Sequence, residues 1–434
     1  MSSPRVSILT LGCKVNAYDT AAIADRLRAA GCTVVDDGGA DVVIVNSCTV
    51  TDAADAEARR LARRARREHP AARVIMTGCY AQTKPEAAAR VEAIDHVIGL
   101  GRLERLVAAV LGEGPPVPRV DVGPSRRETE ITTAGARTFA GQTRAFLKVQ
   151  EGCDLFCTFC IVPMARGRSR SLPPRRVLAE VEALARRGFQ EVVLTGVHLG
   201  GYGDDLSPRV DLAWLVGALA EQALVPRLRL SSIDPHEVSE ALLRTMAASP
   251  AVCDHLHVPL QSADDGVLAR MRRRYDGALA RERLAMIREL LPEAHIGTDL
   301  IAGFPGEDDA AFERTLAFLE ASPITSAHVF PYSVRSGTTA AKLPGRVPPG
   351  VLRERSRRLR RLAAEKQEAF LGRQHGRIVE VLVESSRERA TGALRGYTRN
   401  YVRVRLDGGD SLLGRLVRAR LHVDERGVSG RVAA

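Results

Sequence analysis

No stretch of this chain approaches the roughly eighteen consecutive apolar residues that a membrane span requires. Met1 to Gly12 also lacks the basic segment and apolar run of a secretory leader. Together these absences predict a cytoplasmic protein with no membrane partner. Such a compartment keeps thiols reduced, so the eight cysteines are not expected to pair as disulfides. Metal ligation, catalysis, or service as small buried apolar groups remain for them. Surplus positive charge is missing from most of the chain as well. From Arg346 to Ala434, 21 Lys and Arg stand against 10 Asp and Glu, which accounts for the whole net charge of +11. A polyanion-binding tail on a neutral body is the natural reading; a merely solvated basic surface is the alternative.

What is present is ordinary globular material, 45% hydrophobic and 26% charged, and 434 residues suffice for two or three domains. The first hundred residues repeat one pattern. Val6 to Leu11, Val42 to Asn46 and Arg73 to Thr77 read as strands. Each is followed by a cysteine, in Gly12-Cys13, Ser47-Cys48 and Gly78-Cys79, and then by a helical stretch, Asp19 to Ala30 and Asp52 to Glu68 for the first two. Strands alternating with helices predict a parallel α/β sheet with right-handed crossovers. From Leu111 to Thr143 the composition turns to Gly, Pro, Thr and Arg without periodicity, as in a linker. A second β/α series follows, with strands at Ala145 to Val149, Glu191 to Thr195, Arg227 to Ser231, His255 to Pro259, Ile296 to Ile301 and Ser326 to Phe330. Six units predict an open, partial (β/α)6 barrel. Short alternating strands such as Arg377 to Val383 and Tyr401 to Leu406 then predict a small C-terminal β-barrel. The expected division is 1–112, a linker 113–143, a barrel 144–371 and a β-barrel 372–434.

Cys153, Cys157 and Cys160 follow directly on the first barrel strand, where β/α barrels gather their active sites. Three thiolates within eight residues can ligate three irons of a four-iron cubane and leave the fourth open. A zinc site would want a fourth Cys or His, and none follows at the usual spacing. Zinc and buried structural thiols stay as alternatives. Cys13, Cys48 and Cys79 share one phase of the first repeat, so a parallel sheet brings them to one rim. A second cluster is the reading there, against three unrelated buried cysteines. Cys32 and Cys253 open strands at the opposite edges and read as structural.

The Cys-x3-Cys-x2-Cys spacing, with Phe159 before the last cysteine, resembles the radical S-adenosylmethionine superfamily. That resemblance implies that the open iron holds the methionine moiety of S-adenosylmethionine, whose reductive cleavage yields a 5′-deoxyadenosyl radical. With the N-terminal triad and the C-terminal β-barrel, which looks like a TRAM RNA-binding module, the whole chain resembles the methylthiotransferase family. The resemblance implies two [4Fe-4S] clusters, with the sulfur handled at Cys13, Cys48 and Cys79 and the radical generated at Cys153, Cys157 and Cys160. Leu11-Gly12-Cys13-Lys14-Val15-Asn16 with Tyr18-Asp19, and Asn46 to Thr51, look like the branch acting on threonylcarbamoyladenosine in tRNA. So do Gln150-Glu151-Gly152-Cys153 and Pro163 with Ala165-Arg166-Gly167; Ala17 and Met164 depart from the commonest pattern. The implied reaction is methylthiolation of carbon 2 of that adenine beside the anticodon, S-adenosylmethionine serving as both methyl donor and radical source. The implied partners are the tRNA anticodon stem-loop, an electron donor such as flavodoxin or ferredoxin, and a sulfur donor. Isopentenyladenosine or a ribosomal-protein side chain is the alternative acceptor, and a non-catalytic RNA-binding iron–sulfur sensor the alternative class.

Gly196, Ser231, Ser232, Gln261 and Gly303 to Gly306 end barrel strands and are candidates for the S-adenosylmethionine pocket. Small size at Gly196 permits close approach of the ligand to backbone. Arg166, Arg168 and Arg170 would meet RNA phosphate or balance cluster charge, or form a solvated loop. His198 reads as a loop histidine, Trp214 as core, and the run Arg353 to Arg361 as a solvated helix face. Tyr397, Arg399, Tyr401 and Arg403 alternate, and period two would set them on one strand face as an RNA platform.

Overall fold

The computed structural model describes residues 3–433 apart from 37, 113–116, 126–127, 129–130, 132–134, 137 and 140. Much of the expected linker, and both chain ends of the expected division, therefore lie outside the described residues.

Six parallel strands form the N-terminal sheet: β1 (Arg5–Thr10), β2 (Thr33–Val34), β3 (Val42–Ser47), β4 (Arg73–Gly78), β5 (His96–Ile98) and β6 (Val120–Asp121). Their order is β2-β1-β3-β4-β5-β6, so the chain reverses direction across the sheet between β1 and β3. The last strand comes from the Gly- and Pro-rich stretch that reads as linker. Every residue of β3 is buried, as expected of a central parallel strand covered on both faces. Helix Asp52–Glu68 packs through Ala58, Ala62 and Ala65, and Thr51 caps it by accepting from the N–H of Ala54 at 3.1 Å. The first helix begins at Lys14, five residues before the sequence-based start, because Cys13 in extended conformation serves as its N-cap.

The second α/β unit is an open arc. β7 (Ala145–Glu151), β9 (Glu191–Gly196) and β10 (Arg227–Leu230) run parallel, with the short antiparallel β8 (Arg170–Ser171) beside β7. β11 (His255–His257), β12 (His295–Ala302) and β13 (Ser326–Pro331) complete the six parallel strands. Isolated bridges Leu228–Val252 and Ser232–His257 join the two halves. Ala145, Leu147, Val149, Leu194 and Leu256 pack with the flanking helices into the largest core. Helix Lys14–Ala29 contributes Tyr18, Ala21 and Ala22 to that same core, so the first unit leans across the open side of the arc.

Helix Pro349–Gly372 leads into a closed five-stranded barrel. Its strands are β14 (Ile378–Val383), β15 (Leu394–Thr398), β16 (Arg403–Leu406), β17 (Leu416–Asp424) and β18 (Gly427–Val432). No described helix is long and apolar enough to cross a membrane. One core expectation fails. Trp214 is 51% exposed on helix Leu212–Gln222, because Leu212, Leu215, Val216 and Leu219 already fill the inward face.

Candidate active site

Parallel pairing of β1, β3 and β4 ends all three strands at one edge, and Cys13, Cys48 and Cys79 lie just beyond it. This edge, at the point where strand order reverses, is where open α/β sheets place their ligands. Gly12 (φ +111°) allows the loops to meet, since a Cβ there would stand 2.9 Å from the Cβ of Cys48 and 3.2 Å from its Sγ. Asn16 is buried and ties the same loops, donating to Leu11 O at 2.8 Å and Ser47 O at 3.0 Å. Cys13 is exposed while Cys48 and Cys79 are buried. Burial pushes the Cys79 thiol up to about 12, and its charged neighbours are Arg166, Cys13 and Cys48. Burial likewise raises Cys48, against backbone N–H donation from Val50 and Thr49.

At the mouth of the arc the loop after β7 holds the other three. Leu155 N–H lies 3.5 Å from Cys153 Sγ, and Cys160 N–H donates to Cys157 O at 3.0 Å. Burial pushes Cys153 and Cys160 up to about 12, with backbone donors at Leu155 and Val162 opposing it. Arg273 donates to Cys157 Sγ at 3.3 Å and pairs with Asp234 at 2.7 Å. Buried thiols with N–H donors aimed at sulfur suit a metal cluster, since a metal removes the cost of burying the thiolates and such donors tune bound sulfur. Cys48 in the first triad, and half-buried Cys153 and Cys160 in the second, have such backbone donors, Arg166 and Arg273 serve Cys79 and Cys157, and Cys13 is left open to solvent.

Arg166 joins the two rims. It is fully buried and donates to Glu151 at 2.8 Å, Asn16 Oδ1 at 2.9 Å and Asp19 at 2.9 Å. Burial alone would lower its pKa; Cys79, Glu151, Asp19 and Cys13 together hold it well above the ordinary arginine value. Lys148 closes the cluster through Asp19 at 2.7 Å and through Glu151. A second tie comes from Arg335, after β13, which bonds Thr49 at 2.6 Å, Asp52 at 2.5 Å and Asp55 at 3.1 Å beside the Cys48 loop. Arg170 is also buried and braces the carbonyls of Arg166 and Arg168, whereas Arg168 is exposed.

The expected pocket residues share the rim of Cys153. Gly196 ends β9 beside Gln150, whose Oε1 accepts from His198 N–H at 2.7 Å. Ser231 follows β10 and its Oγ is buried without a partner, an orphan of the kind a ligand satisfies. Ser232 bridges His257, and Gln261 takes φ +64° while pairing with β12. His198 pairs with Glu237. Cys32 and Cys253 are buried away from both triads, Cys253 beside Arg229. Asn16, Asp19 and Glu151 stand within the family-like motifs, yet only the fold gives them roles. Arg273 sits in an unremarkable basic run, and Arg335 joins residues some 280 positions away; neither carried a sequence signal.

Tyr397, Arg399, Tyr401 and Arg403 do not share a strand face. β15 ends at Thr398, Tyr401 has φ +64°, and β16 begins at Arg403, so a turn interrupts the alternation. Tyr397 stacks on Tyr401 at 5.0 Å, with the guanidinium of Arg144 4.5 Å over Tyr397 and that of Arg229 4.6 Å over Tyr401. Arg399 donates to the carbonyls of Pro250 and Val252, and Arg403 pairs with Glu388. These side chains dock the small barrel under the strand N-termini of the arc, with Arg227 donating to Tyr397 O at 2.9 Å and Arg229 to Arg399 O at 2.8 Å.

Residues 147–319 match the model of the radical SAM superfamily, and residues 5–99 that of uncharacterized protein family UPF0004. Threonylcarbamoyladenosine tRNA methylthiotransferase MtaB of Bacillus subtilis is 36% identical over 423 residues, 96% of this chain and 93% of that protein. This chain belongs to the radical SAM methylthiotransferase family. It is an MtaB-like member, and an enzyme that transfers methylthio groups. Radical SAM methylthiotransferases use S-adenosylmethionine and [4Fe-4S] clusters, and these are its cofactors. A tRNA-2-methylthio-N(6)-dimethylallyladenosine synthase of Bacillus licheniformis is 31% identical over 96% of this chain and 83% of its own length. Among solved structures, the radical S-adenosylmethionine methyltransferase TsrM of Kitasatospora setae matches with a TM-score of 0.56 at 16% identity. The match covers 76% of this chain and 75% of that one, and likens the two in fold.

Proposed function

We propose that this enzyme methylthiolates carbon 2 of threonylcarbamoyladenosine next to the anticodon of tRNA. The observation that carries the reading is buried Arg166, which bonds Asn16 and Asp19 beside the Cys13 loop and Glu151 beside Cys153, and so ties together the loops that carry the two cysteine triads. The MtaB relatives, at 36% identity over nearly the whole chain, support the choice of base. Cys153, Cys157 and Cys160 would hold one cluster, and Cys13, Cys48 and Cys79 the other. When bound, the cofactors supply one-electron radical chemistry at the first site and a sulfur site at the second. The chain's own groups orient and insulate them. Backbone N–H groups of Leu155 and Val162 face the sulfurs of Cys153 and Cys160, Arg273 balances Cys157, and Arg166 balances Cys79. Gly196, Ser231, Ser232 and Gln261 line the rim where S-adenosylmethionine would lie. An electron donor such as flavodoxin or ferredoxin and a separate sulfur donor complete the reaction.

RNA binding falls to the basic β-barrel. Arg415, Arg418, Arg420, Arg426 and Arg431 are exposed, and no ion pair among the described residues includes them. They replace the tyrosine platform, which is engaged within the chain.

Nucleoside mass spectrometry of tRNA from a deletion strain tests the acceptor. Loss of the methylthiolated threonylcarbamoyl nucleoside is expected, and its retention in a strain with no second such enzyme would sink the reading. A dimethylallyladenosine synthase of Salinispora arenicola is also 36% identical, which favours the dimethylallyl base as the second reading; the same chromatogram decides between them. In vitro, Cys79→Ala should abolish sulfur insertion yet still release 5′-deoxyadenosine, whereas Cys153→Ala should lose both.

A further inference from the structure

The inner face of the arc carries three side chains that neither cysteine triad uses. His257 ends β11, Asp299 stands in β12 and His328 in β13. Their neighbours Leu256, Val258, Leu300 and Val329 pack into the helix-covered core, so the period of two turns these three to the opposite face. Parallel pairing sets their spacing. Asp299 and His328 are register partners, and His257 stands opposite Gly297, two residues before Asp299. His257 Nε2 lies 3.1 Å and His328 Nδ1 3.3 Å from the same carboxylate oxygen, Asp299 Oδ1. All three ligand atoms fall within 4.8 Å of one another. Gly297 makes room for this meeting, since a Cβ there would stand 2.9 Å from His257 Nδ1 and crowd the ring.

Two imidazoles and one carboxylate form a donor set for a first-row divalent cation. Donor atoms about 2.0–2.2 Å from a shared ion stand about 3.0–3.5 Å apart along a tetrahedral or octahedral edge. Both nitrogen–oxygen separations here lie in that range. Among the described residues Asp299 has ion pairs with these two histidines alone, so no guanidinium or ammonium competes for it. Burial alone would raise its carboxyl, but the bonds from His257 and His328 hold it well below the ordinary aspartate value, ionised and ready to ligate. We propose that His257, Asp299 and His328 bind a divalent transition-metal ion, zinc being the best match to the donors, at a site separate from both cysteine triads. Three protein ligands leave a position open to water or to an oxygen of a bound ligand. His328 also lines a cleft of 530 Å³ between the end of the arc and the small barrel, with Ser326 and Phe370, which gives the ion a route from solvent. The inference does not depend on which base the enzyme modifies.

The test uses reconstituted holoenzyme dialysed anaerobically against zinc alone, with zinc and iron per chain measured together. A rival surface pair has to be set aside first. His375 and His422 have rings 4.9 Å apart on the small barrel, with Asp424 4.0 Å from His422. His422→Ala removes that pair and should still hold about one zinc per chain, with its iron unchanged. X-ray absorption at the zinc edge should show nitrogen and oxygen at about 2.0–2.1 Å and no sulfur at about 2.3 Å. Adding His328→Ala, whose side chain is 70% exposed, should weaken zinc binding by about a hundredfold or more, beyond what loss of an outer-shell partner costs. Asp299→Asn should do the same; if it fails to fold, His328→Ala decides alone. No zinc in wild type, zinc that displaces iron or shows sulfur ligands, or zinc that survives His328→Ala would overturn the proposal.

Discussion

At the scale of single residues, Gly152 shows how little freedom the barrel-mouth loop has. It holds φ +73°, and a Cβ there would fall 1.8 Å from the carbonyl oxygen of Arg168. That oxygen is backbone, and the next residue, Cys153, donates its N–H to Gly167 O at 3.1 Å, so neither strand of the loop can retreat without moving the cysteine. Gly152→Ala is therefore expected to cost about 2 kcal/mol or more in backbone strain and displaced loop. Iron content after reconstitution should fall with it, while cysteine count is unchanged. Full iron loading with an unaltered Tm would show that the loop is softer than this geometry implies. Glycine before cysteine was visible in the sequence at Gly12, Gly78 and Gly152; the reason for it at Gly78 and Gly152, two segments of backbone pressed together, was not.

At the scale of elements, the docking of the small barrel depends on one buried carboxylate. Burial alone would raise the pKa of Glu191, but Arg229, Arg144 and Arg227 outweigh it and hold it below the ordinary glutamate value. A carboxyl depressed on folding contributes stability above its unfolded pKa of about 4.3, and that contribution is lost as pH falls through the lowered value. Thermal unfolding of wild type should thus weaken below about pH 4, more steeply than that of Glu191→Gln. The variant should already lack about 3 kcal/mol at neutral pH, because it leaves Arg229 and Arg227 short of their charge. Parallel pH profiles for the two proteins would refute the assignment. None of this was legible beforehand, because Arg227-Leu228-Arg229-Leu230 reads as an ordinary half-exposed strand. The parallel strands themselves were legible, since continuous apolar runs such as Val42 to Val45 leave no other choice. So was the convergence of Cys13, Cys48 and Cys79, which follows from strand phase alone. The tyrosine alternation misled because a turn at Arg399 and Asn400 contains no glycine or proline to announce it.

At the scale of the molecule, charge and chemistry lie apart. The loops that carry the two cysteine triads are tied together by Arg166 between the first two units, while the unmatched arginines lie exposed on the outer β-barrel. RNA long enough to reach the rims therefore has to be held at a distance from them, and bonds to phosphate supply such holding without reading sequence. Arg418 and Arg420 alternate along β17 and are both exposed, Arg420 standing opposite Arg431 of β18. Alanine at Arg418 and Arg420 should weaken tRNA binding at every salt concentration. It should also flatten the plot of log affinity against log salt by about one unit for each phosphate that is no longer neutralised. An affinity and a salt slope both unchanged in this variant would show that phosphate is held elsewhere, and the separation of holding from chemistry drawn from the fold would fail.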